Sequence, residues 1–320
     1  MDPHRTSTVD LPVRSDRAVG IAYGVGAGAV WGLAFLAPVL AGSFSPLHIS
    51  VGRFLIYGLV ALLLLVPRRA VLRPLLTRRH FAQLFGLAII GNTLFYLLLV
   101  QGVQWGSVAM VALVMGFVPV LVTVIGSLER DAVPLGRLVP SMLLCVAGAV
   151  FIALNALSGS NGMSKPVLGL ICALGALVCW TWYAVANARI LRQLRGISAH
   201  DWNLLLGVVT GVQAVLMLPL FLLLPAQSHS TAEWLNLLAV VAGLAILCSL
   251  VGYTFWNRMS QLLPMTMIGQ MIVFETIFAL LYGLAWDRRL PTMLEVAALV
   301  CVVLGMLACV AVHPRSKSAH

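Results

Sequence analysis

The side chains of this 320-residue protein that could do chemistry are few, because charge is nearly absent from its long apolar runs. Glu275 stands about twelve residues before Asp287, or ~18 Å along a helix at 1.5 Å per residue. A Glu cannot stretch to an aqueous surface over that distance, so it must face protein or water. Burial disfavours its charged form unless a cation stands nearby. Alone it is a candidate proton carrier. Paired with Arg53 it would be a structural lock, or a clamp on a zwitterionic solute. Hydrogen-bonded between helices it would only pack. Arg53 lies ~10 Å inside its own run, a depth from which an Arg can either snorkel or anchor a substrate.

Aromatic and amide side chains accompany these two. Trp105 and Trp256 fit an interfacial belt. Trp31, Tyr96, Trp180, Tyr183 and Tyr253 lie deeper, where an indole N–H or phenol O–H requires a partner, and are read as lining a central cavity. Asn92, Asn187 and Gln270 should face inward, since an amide facing lipid is expensive. Interhelical hydrogen bonding explains these three as well as substrate contact does. The chain has no GxxxxGK[ST] loop and no HExxH pair. The six cysteines sit inside apolar runs with no CxxC, and read as small apolar residues rather than ligands. No catalytic residue, metal or cofactor is expected.

Apolar residues make up 61% of the chain and charged residues 9%, against roughly 45–50% and 25% in soluble domains. A water-soluble enzyme, a disulfide scaffold and a disordered chain are excluded. The net charge of +10 is dispersed in short Arg clusters between apolar runs, which argues against nucleic acid. The expected fold is an all-α integral membrane protein with ten transmembrane helices. These are placed at 20–41, 47–66, 81–101, 107–127, 135–156, 167–188, 202–224, 234–256, 265–285 and 292–312. With the N-terminus inside, sixteen Lys and Arg fall on the cytoplasmic side and three (Lys165, Arg288, Arg289) outside. Both termini are therefore expected in the cytoplasm, with no cleaved signal peptide.

The sequence also repeats. Gly86-Leu87-Ala88-Ile89 returns as Gly243-Leu244-Ala245-Ile246, a shift of 157 that also carries Tyr96 to Tyr253, Phe117 to Phe274, Pro134 to Pro291 and Gly148 to Gly305. Nearer the front, a shift of 149 carries Gly20 to Gly169, Gly26 to Gly175 and Trp31 to Trp180. Five spans per unit is an odd number, so the units should be inverted repeats, as in many secondary transporters with a binding site between the halves. Gly20, Gly24, Gly28 and Gly32 form a ridge suited to close helix packing.

Trp31-Gly32, Arg53-Phe54-Leu55, Phe117-Val118-Pro119, Glu129-Arg130, Gly148, Trp180 and Phe274-Glu275-Thr276 together resemble the drug/metabolite transporter superfamily, specifically EamA-type ten-helix carriers. The likeness covers roughly residues 18–312; Thr276 stands where the family often has Pro. It implies a carrier that moves a small molecule, often outward. The expected organisation is a tail (1–18), a first five-helix EamA-like repeat (19–157), a periplasmic linker (158–166), a second repeat (167–312) and a tail (313–320). The expected function is transport of a small organic metabolite, an amino acid or similar, across the cytoplasmic membrane by alternating access. Its partners would be the substrate, the bilayer and a proton as candidate coupling ion. The other classes weighed are a membrane-embedded enzyme and a passive channel or scaffold subunit.

Overall fold

A computed structural model describes residues 14–126, 135–158, 163–194, 196–223, 228–262 and 265–311. Every regular element among them is a helix. Seven helices are long and apolar enough to cross a membrane, and two further apolar helices are shorter. The N-terminal half holds α1 (Arg14–Leu40), α2 (Pro46–Leu65), the short α3 (Arg69–Leu72), α4 (Arg78–Leu87), α5 (Phe95–Trp105), α6 (Val108–Met115), α7 (Val118–Gly126) and α8 (Leu135–Leu157). The C-terminal half holds α9 (Pro166–Gln193), α10 (Ala199–Met217), α11 (Thr231–Gly243), α12 (Gly252–Leu262), α13 (Met265–Asp287) and α14 (Met293–Ala311).

The single helix expected over 107–127 is two. Pro119 cannot donate to the Met115 carbonyl and its ring crowds that group, so the chain breaks at Gly116-Phe117 between α6 and α7. Ser45, Ser107, Ser198 and Ser230 cap α2, α6, α10 and α11, each accepting from a backbone N–H three residues on. Gly42 closes α1 at φ 67°, a backbone conformation that side chains disfavour.

Two helices are built with an unusual middle. A π segment (Ala88–Leu94) joins α4 to α5, and another (Leu244–Val251) joins α11 to α12. The wide turn ends on a matching bond in both: Phe95 N–H donates to Ile90 O, shared with Asn92 O, and Gly252 N–H donates to Leu247 O. The shift of 157 carries 90 to 247 and 95 to 252.

Contacts between the halves also come in exchanged pairs. A Cβ on Gly26 would lie 3.0 Å from the Phe255 ring, and one on Gly175 would lie 3.1 Å from Leu98. One on Gly148 would lie 3.1 Å from Cys301, and one on Gly305 would lie 3.5 Å from Leu144. The two shifts convert each contact into its mate, as across a two-fold interface. At the crossing of α2 and α10, Gly58 meets the Gly211 Cα, close enough to exclude any side chain. One end of this crossing is fastened by Arg68, whose Nη2 donates to Asp201 Oδ2 at 2.8 Å across the halves. A second charged pair is local. Arg289 donates to both oxygens of buried Glu295 at 2.7 Å, which holds its guanidinium above the usual Arg range.

Candidate functional site

The glycine ridge of α1 places one wall of the site. A Cβ at Gly28 would stand 2.7 Å from Phe274 Cβ and 2.9 Å from the Glu275 nitrogen, so the two backbones touch and Glu275 is drawn to the centre. Gly32 meets Phe278 and Ala279 in the same way. One turn further, Pro38 cannot donate to the Ala34 carbonyl, leaving it without its usual helical partner beside the cavity. The Gly58–Gly211 crossing draws α2 inward on the opposite wall, with Arg53 and Tyr57 one turn apart on its inner face.

Between these walls lies a cavity of about 80 Å³, room for several waters. Both halves line it. The N-terminal half contributes Trp31, Arg53, Tyr57, Asn92, Phe95 and Tyr96; the C-terminal half contributes Trp180, Leu206, Cys248, Ser249 and Glu275. The Arg53 guanidinium carbon lies 4.2 Å from the Tyr96 ring centroid and 5.7 Å from that of Phe54, a cation on two aromatic faces. Its buried Nε and the Tyr96 hydroxyl have no hydrogen-bond partner. Arg53 and Glu275 share the cavity, yet no ion pair joins them. The site thus presents a cation resting on aromatic rings and a carboxyl, neither of them in an ion pair among the described residues.

Of the ten residues singled out from the sequence, Trp31, Arg53, Asn92, Tyr96, Trp180 and Glu275 reach this one cavity. Trp31 Nε1 donates to Cys248 O at 2.9 Å, and Trp180 packs on Phe95 at 4.8 Å between centroids. Asn92 Nδ2 donates to Thr210 at 2.7 Å. Tyr183 does not line the cavity; it is buried behind it, stacked on Trp180 at 5.0 Å and pressed against Gly91. Asn187 is turned to another task, accepting from Trp202 Nε1 at 3.0 Å. The side chains of Tyr253 and Gln270 lie outside the described residues. Trp256, expected in an interfacial belt, is half-buried with its ring 5.3 Å from Trp31.

Sequence reasoning passed over Tyr57, Phe95, Cys248 and Ser249. Tyr57 stands four residues after Arg53, the spacing that shares a helix face. Ser249 is the residue to which the shift of 157 carries Asn92, so the repeat contained the signal. For Cys248 no signal exists, because its place depends on the π turn.

Two stretches, residues 18–154 and 167–311, each match the model of the EamA-like transporter family. The chain belongs to that family. It is 30% identical over 321 residues to the inner membrane protein YtfF of Escherichia coli (strain K12), covering 92% of this chain and 96% of the relative. It is 24% identical over 230 residues to the uncharacterized transporter YyaM of Bacillus subtilis (strain 168), covering 70% and 71%. A solved crystal structure 19% identical in sequence covers 94% of this chain and 99% of its own at a TM-score of 0.61, which shows the fold alone. This EamA protein is therefore a multi-pass membrane protein of a transporter family.

Proposed function

We propose that this EamA protein is a secondary carrier exporting a small organic metabolite, an amino acid or a solute of similar size, by alternating access. The observation that carries this reading is the cavity between the halves, holding Arg53 and Glu275 with no ion pair between them among aromatic walls. A solute carboxylate at Arg53 would complete a charge-assisted hydrogen bond that the protein itself leaves open. An ammonium group would do the same at Glu275, so a solute bearing both charges suits the site. The cavity's ~80 Å³ is well below the roughly 300–1,000 Å³ of ordinary ligand sites. Cargo therefore needs the helices to part, as a carrier's cycle requires.

The same reading takes residues 19–157 and 167–312 as inverted repeats of five spans each, joined by a periplasmic linker (158–166). The tails, 1–18 and 313–320, lie in the cytoplasm. The exchanged contacts and matched π turns support two equivalent units. The excess of Lys and Arg on one side supports the orientation. A reporter fused after His320 should be cytoplasmic, and one inserted near Gly159 periplasmic; a periplasmic C-terminus would overturn both the span count and the inversion. The function itself is tested by a proteoliposome screen over amino acids, nucleosides and related metabolites. Saturable uptake of one class is expected. Equal, unsaturable leakage of all of them would mean a passive channel.

A proton is the proposed coupling ion, carried by Glu275. The specific observation behind it is that Glu275, deep in the bundle, is in no ion pair among the described residues.

A further inference from the structure

Each π turn is held by a side chain from the other half of the molecule. Around the first, Gln213 of α10 donates from Nε2 to Phe85 O at 3.0 Å, and its Oε1 accepts from Thr93 at 2.9 Å. Around the second, Trp31 of α1 donates from Nε1 to Cys248 O at 2.9 Å, and Cys248 Sγ donates to Val30 O at 3.3 Å. A π turn breaks the i to i−4 ladder and frees carbonyls that a plain helix would satisfy. Inside a membrane such groups need partners from elsewhere in the protein. At the second turn Gly252 N–H goes to Leu247 O, and Cys248 O takes its bond from Trp31 instead. At the first, Phe85 O already accepts from Ala88 N–H, and Gln213 adds a further bond at the entrance of the turn while accepting from Thr93 within it.

What the turns carry is as telling as what holds them. The first presents Asn92 to the cavity, and the second presents Cys248 and Ser249. Asn92 and Ser249 are equivalent under the shift of 157. A π turn holds one more residue than an α turn. Moving that extra residue along the helix rotates the intervening side chains by about 100°, the angle per residue of a 3.6-residue turn. A step of this kind would sweep Asn92 or Ser249 out of the cavity wall without dismantling the helix.

Resting on the cavity being the transport site, we propose that the two π turns are the moving parts of its polar wall. Gln213 and Trp31 are the positioning residues that latch each turn from the opposite half. Gln213 lies outside the cavity, whereas Trp31 belongs to both latch and lining, so a solute against its indole competes directly with the bond that fixes Cys248. Binding in the cavity and release of the second turn are thereby one event.

Hydrogen–deuterium exchange of the full chain in lipid nanodiscs tests this without any cargo. In the wild type, amides of 88–94 and 244–251 should exchange faster than those of α5 and α9. Gln213→Met keeps length and loses the donor; it should speed exchange about tenfold in 85–94 while leaving 244–251 unchanged. Trp31→Phe keeps a ring and loses the indole N–H; it should do the reverse. Circular dichroism and monodisperse elution of both variants would establish that they fold. If one misfolds, the wild-type profile and the other variant still decide. Turns as protected as α9, or an acceleration spread evenly through the chain, would overturn the proposal. A transport screen that finds no cargo would sink the carrier reading and leave these exchange patterns untouched, so the two failures are distinguishable.

Discussion

Trp31 and Trp180 face one cavity from opposite halves, and so do Asn92 and Ser249. The first pair is related by the shift of 149 and the second by the shift of 157. The charged residues break the pattern. Counted from the capping serines Ser45 and Ser198, Arg53 has Leu206 at its equivalent position, and Glu275 has Val118 under the shift of 157. The packing beneath them diverges too. Gly28 and Gly32, which let α1 touch α13 beside Glu275, become Leu177 and Thr181 on α9. Duplicated helices therefore supply a symmetric frame of rings and amides, while the charge is confined to one copy of each position. In the proposed carrier, a symmetric frame suits two alternative openings and an asymmetric pair of charges sets how a solute lies within it.

Substitutions that attack one member of an equivalent pair show how far this asymmetry goes. The largest effect is expected at the ridge. Gly28→Leu installs in α1 the residue that α9 carries, where even a Cβ meets backbone at 2.9 Å. Overpacking of ~1–3 kcal/mol should lower the thermal midpoint in detergent and remove transport together. Gly243→Ala, with no atom within 4 Å of its Cβ, should change neither. Next comes charge. Arg53→Met should reduce transport roughly 10–100-fold, since hydrogen bonds to charged groups contribute ~1.5–3 kcal/mol. Membrane expression should stay normal; a loss of expression instead would assign Arg53 to folding.

Glu275→Gln keeps shape and removes titration. Transport by the wild type should depend on pH and on an imposed proton gradient. The variant should lose both dependences while binding cargo within a few-fold. Unchanged pH dependence would return Glu275 to a packing role. The smallest effect is expected from exchanging equivalents, Asn92→Ser with Ser249→Asn. If the frame is symmetric, the double variant should transport within about threefold of wild type, one charged-group hydrogen bond being spared. A loss as large as that of Arg53→Met would make the amide position-specific.

Much of this arrangement was legible beforehand. The apolar runs marked the helices because a bilayer requires about 20 apolar residues per crossing. Depth within a run separated Glu275 and Arg53 from charges at helix ends. What the runs do not encode is rotation about each helix axis. Tyr183 and Asn187 follow Trp180 on α9, yet one stacks behind it and the other turns to Trp202. The π turns were equally hidden, since nothing in Ala88–Leu94 distinguishes it from an ordinary helix. The wide turn is bonded by Gln213, 128 residues away from Phe85. The break at Gly116 had its cause in plain view at Pro119, though a continuous apolar stretch masked it.

In the proposed cycle, one polar cavity between equivalent halves opens alternately to either side of the membrane. Ser249→Cys, in a chain whose native cysteines are replaced, puts a small thiol on that wall with little change of volume. A membrane-impermeant thiol reagent applied to right-side-out and to inside-out vesicles then reads the exposure directly. Labelling from both sides, slowed in each case by transported solute, is the result this account predicts. Labelling from one side only, or from neither, would contradict it.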